Sequence, residues 1–193
     1  YAEKYAEDAE RVCFYQLLIS VYEAALRFMQ RVAWQADRAG KMQMAESLQA
    51  LTTRSPKTLY EALQTAIVYY HLQHFFEGTN LRTLGRLDSL YYPLYVQEDE
   101  KTGRELFREF IKEIDRLQAT ANIPFALGGT DVQGRSLVNP LTYAILDIYK
   151  NLETTNTKFH LLCHKDMPTD LLKSAFDGVR KGKNSLVFMS DER

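Results

Sequence analysis

Apolar residues recur at helical intervals through the first part of the chain. From Ala2 to about Ala39, Leu18, Val21, Tyr22, Ala25, Phe28, Met29 and Val32 stand three or four apart among Ala, Glu, Arg and Gln, which predicts one long helix or two joined ones. Gly40 interrupts the pattern, and a shorter helix is expected over Met42–Leu51. Thr58 followed by Glu61 forms a capping-box pattern, in which each side chain can satisfy a free backbone donor at a helix start. It opens a helix from Leu59 to about Phe76, apolar at Leu59, Leu63, Ala66, Ile67 and Tyr70, with Gly78 as its stop.

Beyond this point the period shortens. Residues 79–84 alternate as a short buried strand would, with Leu81 and Thr83 on one face and Asn80, Arg82 and Leu84 on the other. The segment Leu87–Tyr95 is aromatic and contains Pro93, so a helical turn or irregular stretch is expected there. A second capping-box pattern, Thr102 with Glu105, predicts a helix to about Gln118. Residues 122–127 read as a buried strand running into the tight turn of Gly128 and Gly129. Asn139 and Pro140 have the preferences of a helix start, and that helix should reach about Leu152. A strand over 159–164, a helix over 168–181 and a strand over 185–189 complete the pattern.

This alternation predicts an α/β fold, mostly helical with a few short strands, in which helices pack outside a sheet or barrel. Residues 1–77 form a helical layer in this reading, and residues 78–193 alternate helices with strands. No repeat, linker or low-complexity tract interrupts the chain, so one structural unit is expected.

Composition narrows the function classes. The 193 residues carry 46% hydrophobic content and a formal net charge of −1. That balance gives no electrostatic reason to expect nucleic acid or an anionic membrane as a partner, and the KGK at 181–183 is too short to change it. Cys13 and Cys163 are the only cysteines, which excludes a disulfide framework and favours a reducing compartment. No uninterrupted apolar run reaches membrane-span length and no signal peptide opens the chain, so a cytoplasmic location is expected. The chain starts at Tyr1 inside a helical pattern and stops just after an apolar run, so both ends are expected to be cut.

Several constellations are candidates for chemistry. His160, Cys163 and His164 are metal-ligand types, but on an extended strand Cys163 points away from the two histidines, so no metal site is expected. His71 and His74 share a helix face without a matching carboxylate or Cys pair. The GGTDVQG stretch at 128–134 lacks the Walker lysine and the dinucleotide glycine spacing; turn chemistry explains it, with Asp131 bonding its own downstream backbone. Arg86 and Asp88 admit two readings, a substrate clamp or an ion pair fixing a turn, and the second is favoured. Tyr91, Tyr92 and Tyr95 read as packing residues. Neither cysteine stands beside an evident base or at a helix start, so no residue of the chain is assigned as a catalyst.

Five segments taken in order, ALRFMQRVAWQA, RSPKTLYEALQ, LGRLDSLYYPLY, NIPFALGGTDVQGRSLVNPLTY and KFHLLCHKDMP, resemble successive landmarks of the pyruvate formate-lyase-like domain of glycyl radical enzymes. The resemblance covers about Ala25 to Arg193 and implies part of a ten-stranded barrel from a large homodimeric enzyme. It implies a glycyl radical installed by a separate S-adenosylmethionine iron-sulfur activating enzyme, and a thiyl radical acting on a small polar substrate. No cofactor is expected in this chain itself.

The family's Gly-Cys-x-Glu and Arg-Val-x-Gly-Tyr type motifs do not occur among the 193 residues, so the chain is expected to be an inactive fragment of a formate acetyltransferase-like transferase, dehydratase or lyase. By the same resemblance Asn80, Arg82, Asn122 and Phe125 are substrate-binding candidates. Gly85, Arg86, Asp88, Gly128 and Gly129 are then structural landmarks. Asn80 and Leu81 stand near where a His-Ser pair is usual in relatives that eliminate water or an amine, a substitution that argues against diol dehydratase or choline-lyase specificity. The alternatives are a non-catalytic helical α/β binding or scaffolding module, and a metal-dependent hydrolase using His160 and His164.

Overall fold

The computed structural model describes residues 3–77, 83–116 and 123–191. They fall into two compact units, Tyr1–Pro56 and Lys57–Arg193, where the sequence predicted one. The third helix belongs to the second unit, because it buries its apolar side in that unit's core.

In the first unit a short 3-10 turn, Glu3–Tyr5, precedes α1 (Ala9–Arg38), and α2 (Met42–Leu51) follows. Asp8 caps α1 by accepting a hydrogen bond from the Arg11 N–H at 3.1 Å. Met29, Ala33 and Ala36 of α1 are buried, as are Ala45, Ser47 and Leu48 of α2. Phe14, Leu17, Leu18, Val21 and Tyr22 are exposed. By length and mean hydropathy (1.3 over 18 residues), α1 meets the threshold for a membrane span, which corrects the expectation that no segment would. Mostly buried core helices of soluble proteins and N-terminal signal sequences pass the same test, so a single such helix is weak evidence of a span. An Arg27–Glu23 ion pair at 3.7 Å sits within α1, a cost in hydrocarbon that water does not impose.

The second unit comprises α3 (Leu59–Glu77), α4 (Leu87–Tyr95), α5 (Glu100–Arg116), β1 (Ile123–Gly128), α6 (Pro140–Asn151), β2 (Thr157–Cys163), α7 (Thr169–Arg180) and β3 (Leu186–Ser190). The strands form a parallel sheet in the order β1-β2-β3, with α6 and α7 as crossovers. Phe125 lies beside Phe159, and Phe159 beside Leu186. These side chains and Leu127 and Leu161 turn toward the helices, where Tyr70, Phe110 and Tyr149 close over them. Aromatic rings at 5.6–6.4 Å spacing dominate this core, a separation suited to edge and tilted contacts.

Local details follow the sequence with three corrections. Leu87–Tyr95 is a helix despite Pro93, because Leu87, Asp88, Tyr91 and Tyr95 all bury on one side and that packing outweighs the lost backbone bond. The fifth helix starts earlier than the Thr102–Glu105 pattern suggests: Asp99 accepts the Thr102 N–H at 3.0 Å, so the acidic residue is the cap. Gly103 inside that helix is required by Tyr95, whose Cε2 would lie 2.7 Å from an added Cβ. The third correction concerns residues 79–84. Residues 79–82 lie outside the described residues, Thr83 and Leu84 are not in a strand, and beside β1 a single parallel bridge joins Arg86 to Ala126. The Asn139 capping box of α6 is present, its carboxamide oxygen accepting from Leu141 and Thr142.

Candidate functional site

Parallel strands deliver their loops to one end of a sheet, and in open α/β sheets ligands bind outside the strands' carboxyl ends. Here that rim holds Gly128, Gly129, Thr130 and Asp131 after β1, His164, Lys165 and Asp166 after β2, and Asp191 after β3. A cleft of about 390 Å³ opens there, lined by Thr130, Asp131, Val132, Gly134, His164, Lys165, Asp166 and Asp191.

Two carboxylates, Asp88 and Asp191, organise the rim, and the ion pair expected between Arg86 and Asp88 is not formed. Asp88 does not bridge to Arg86. It is fully buried and accepts the Gly128 N–H at 2.8 Å, the Thr142 hydroxyl at 2.5 Å and the Ser89 N–H at 2.9 Å. Burial pushes its carboxyl above the ordinary carboxylate range, against the pull of these donors. Arg86 instead reaches Asp191, its Nη2 lying 3.3 Å from Oδ2, while Nη1 donates to the Thr130 carbonyl at 2.8 Å. Asp191 also accepts the Thr130 N–H at 2.5 Å and the Thr130 hydroxyl at 2.9 Å.

The glycine pair makes this convergence possible. Gly128 and Gly129 have φ of 67° and 79°, and a Cβ on Gly129 would lie 2.7 Å from Asp191 Oδ2. Gly85, with φ of 73°, turns the chain so that its carbonyl accepts the Ala126 N–H at 2.9 Å. Asp131 accepts the Gln133 and Arg135 N–H groups and the Arg135 guanidinium, and these bonds hold its pKa below the ordinary value. The GGTDVQG stretch is thus a self-bonded turn.

On the face of the sheet away from the helices, register places Ala126, His160 and Val187 in one rung and Gly128, Leu162 and Met189 in the next. Val187 and Met189 remain about two-fifths exposed. His160 stands on this face, whereas His164 has left the strand and lies 3.0 Å from the Ser136 hydroxyl through Nε2. Cys163 points to its own region of the core edge, and burial pushes its thiol up, away from thiolate chemistry. Among the described residues no group of three or more His, Cys, Asp or Glu side chains is placed to hold a metal ion. Burial lowers the pKa of His71 on α3.

Of the four substrate-binding candidates, Asn80, Arg82 and Asn122 lie outside the described residues. Phe125 is fully buried on the helix-covered face, against Tyr70, Phe110 and Phe159, which gives a ligand no access to its ring. Asp191, Thr130 and Thr142 escaped the sequence reading. A usable signal was present for Asp191, the acidic residue that directly follows the short apolar strand β3.

The profile of the pyruvate formate lyase-like family matches residues 2–193. The chain belongs to the pyruvate formate lyase-like family. Within it, the chain is 26% identical over 173 residues to a probable dehydratase, YbiW, of Escherichia coli strain K12, covering 77% of this chain and 21% of that protein. It is 23% identical to the trans-4-hydroxy-L-proline dehydratase of Clostridioides difficile, across 88% of this chain and 24% of the relative. A glycyl radical enzyme from Archaeoglobus fulgidus superposes with a TM-score of 0.86 at 21% identity, covering 98% of this chain and 28% of that one. The glycerol-bound B12-independent glycerol dehydratase from Clostridium butyricum gives a TM-score of 0.73 at 18% identity, covering 83% of this chain and 24% of that one. The chain therefore spans between 21% and 28% of the length of these relatives, and its sheet of three described strands with outer helices has the fold of part of a glycyl radical enzyme.

Proposed function

We propose that this chain supplies part of the framework and substrate wall of a glycyl radical dehydratase or lyase acting on a small hydroxylated substrate. The observation that supports this reading is the family match along residues 2–193, joined by relatives named as dehydratases. Water-eliminating relatives act on substrates such as trans-4-hydroxy-L-proline and glycerol, so a vicinal diol or hydroxy amino acid is the class we assign. The open rungs of Ala126, His160 and Val187 and of Gly128, Leu162 and Met189 face the substrate in this reading, and Asn80, Arg82 and Asn122 supply polar contacts.

The radical carriers are not drawn from Cys13 or Cys163, and neither the thiyl-cysteine nor the radical-glycine motif occurs among these residues. The chain's part is to bind and orient. The radical-activating enzyme is a partner in this proposal, as is a second subunit in a homodimer, and the location is cytoplasmic.

The test is an anaerobic assay of the protein as encoded at its locus, primed with an activating enzyme and S-adenosylmethionine. Glycerol, propane-1,2-diol and trans-4-hydroxy-L-proline are compared with pyruvate plus coenzyme A. Activase-dependent loss of water from one of the first three is expected. Acyl transfer to coenzyme A, or turnover without the activase, would overturn the assignment.

A further inference from the structure

The surroundings of Asp191 are those of a carboxylate ligand rather than of a simple surface ion pair. A guanidinium (Arg86), a backbone N–H and a hydroxyl (both of Thr130) converge on one carboxylate, supported by a turn whose two glycines adopt left-handed φ. Such a set of donors is complementary to any small carboxylate. The guanidinium contacts, 3.3 and 3.4 Å, are the long ones, while Thr130 holds the carboxylate closely at 2.5 and 2.9 Å. Asp191 also lines the rim cleft, so the carboxylate stands at the boundary between this pocket and solvent, with His164 and Lys165 on the same wall. A cleft of about 390 Å³ has room for an anion of acetate or lactate size.

We infer that Arg86, Thr130 and the Gly128–Gly129 turn form a carboxylate-binding pocket in which Asp191 is the resident ligand, making the exit of β3 a strap that a small carboxylate can replace. Thr130 and Asp191 line the cleft, and Arg86 stands behind them with its side chain 28% exposed and that of Asp191 17% exposed, so the guanidinium is reached through the position that the Asp191 carboxylate occupies. The strap is anchored on its other side by the Asp191 N–H donating to the Cys163 carbonyl at 2.8 Å, so release of the carboxylate alone leaves the strand's end in place. The inference stands on this geometry and does not depend on the dehydratase assignment.

The experiment titrates sodium acetate into the full chain at constant ionic strength, with sodium chloride as the control anion, and follows the Thr130 amide by NMR. Asp191→Ala should bind acetate at least ten-fold more tightly than the wild type, because the resident carboxylate no longer competes. The double variant Arg86→Met with Asp191→Ala should lose that binding, and chloride should not substitute. If Asp191→Ala unfolds in chloride, acetate should restore its folding, read as a rise in Tm that chloride at the same ionic strength does not give, and the absence of that rescue overturns the proposal. A folded Asp191 variant that fails to bind acetate, or that binds it equally well without Arg86, overturns the proposal.

Discussion

The two units use helices in opposite ways. Helix α1 runs for 30 residues and buries Met29, Ala33 and Ala36, all in its later half. Helix α6 has 12 residues and buries seven of them, from Leu141 to Tyr149. The first owes its form to local propensity, the Asp8 cap and ion pairs three or four residues apart. The second is held by a sheet on one side and its neighbours on the other, so its stability comes from tertiary burial. The lesson is that helix length measures local preference, while burial measures what the fold would lose without the helix.

This contrast can be tested at four points, the largest effect first. Phe159→Ala, which empties the ring contacts with Phe125 and Tyr149, should lower the unfolding free energy by about 3–5 kcal/mol in urea titrations. Leu48→Ala, the fully buried residue of α2, should cost about 2–3 kcal/mol by the same measurement; a loss as large as that of Phe159 would mean that the first unit is as tightly packed as the second.

Asp88→Asn replaces an acceptor facing three donors by a group that is half donor, and a loss of about 1–2 kcal/mol is expected at pH 5. The pH dependence has a defined sign. Because burial raises the folded carboxyl above the ordinary 3.8 of a free aspartate, the native state holds this proton more firmly than the unfolded chain. Its contribution to stability is fully present below pH 3.8 and is lost as pH rises through the raised folded value, and Asp88→Asn should remove that slope. An unchanged slope in the variant would assign the dependence to another group. The smallest effect is expected for Leu17→Ser on the exposed part of α1, within about 0.5 kcal/mol of wild type. A loss above about 1 kcal/mol would show that this face is covered in solution, and the contrast between the units would fail there.

What the sequence made legible was mostly local. Periodicity and caps located α2, α3 and α6 within a few residues and the end of α1, whose start lies at Ala9 rather than Ala2, and the short apolar runs before turn residues located β1, β2 and β3. The misses arose where distant contacts decide. Pro93 argued against a helix, and only the burial of Leu87, Tyr91 and Tyr95 reverses that argument. Arg86 and Asp88 looked like each other's partners because they are neighbours in sequence, yet their actual partners lie in β1's exit, α6 and the residue after β3. Phe125 was assigned to a pocket by resemblance, and strand register turns it into the core instead. No periodicity encodes which face of a strand the helices will cover.

Asp88 also has a consequence during synthesis. Its partners lie 40 and 54 residues further along the chain, at Gly128 and Thr142. A nascent chain that has released α4 but not α6 can bury Leu87 and Tyr91 only by stripping water from a carboxylate whose donors have not yet left the ribosome. The carboxylate's loss of water is therefore offset only when Gly128 and Thr142 are both in place, which ties the burial of α4 to the completion of β1 and α6.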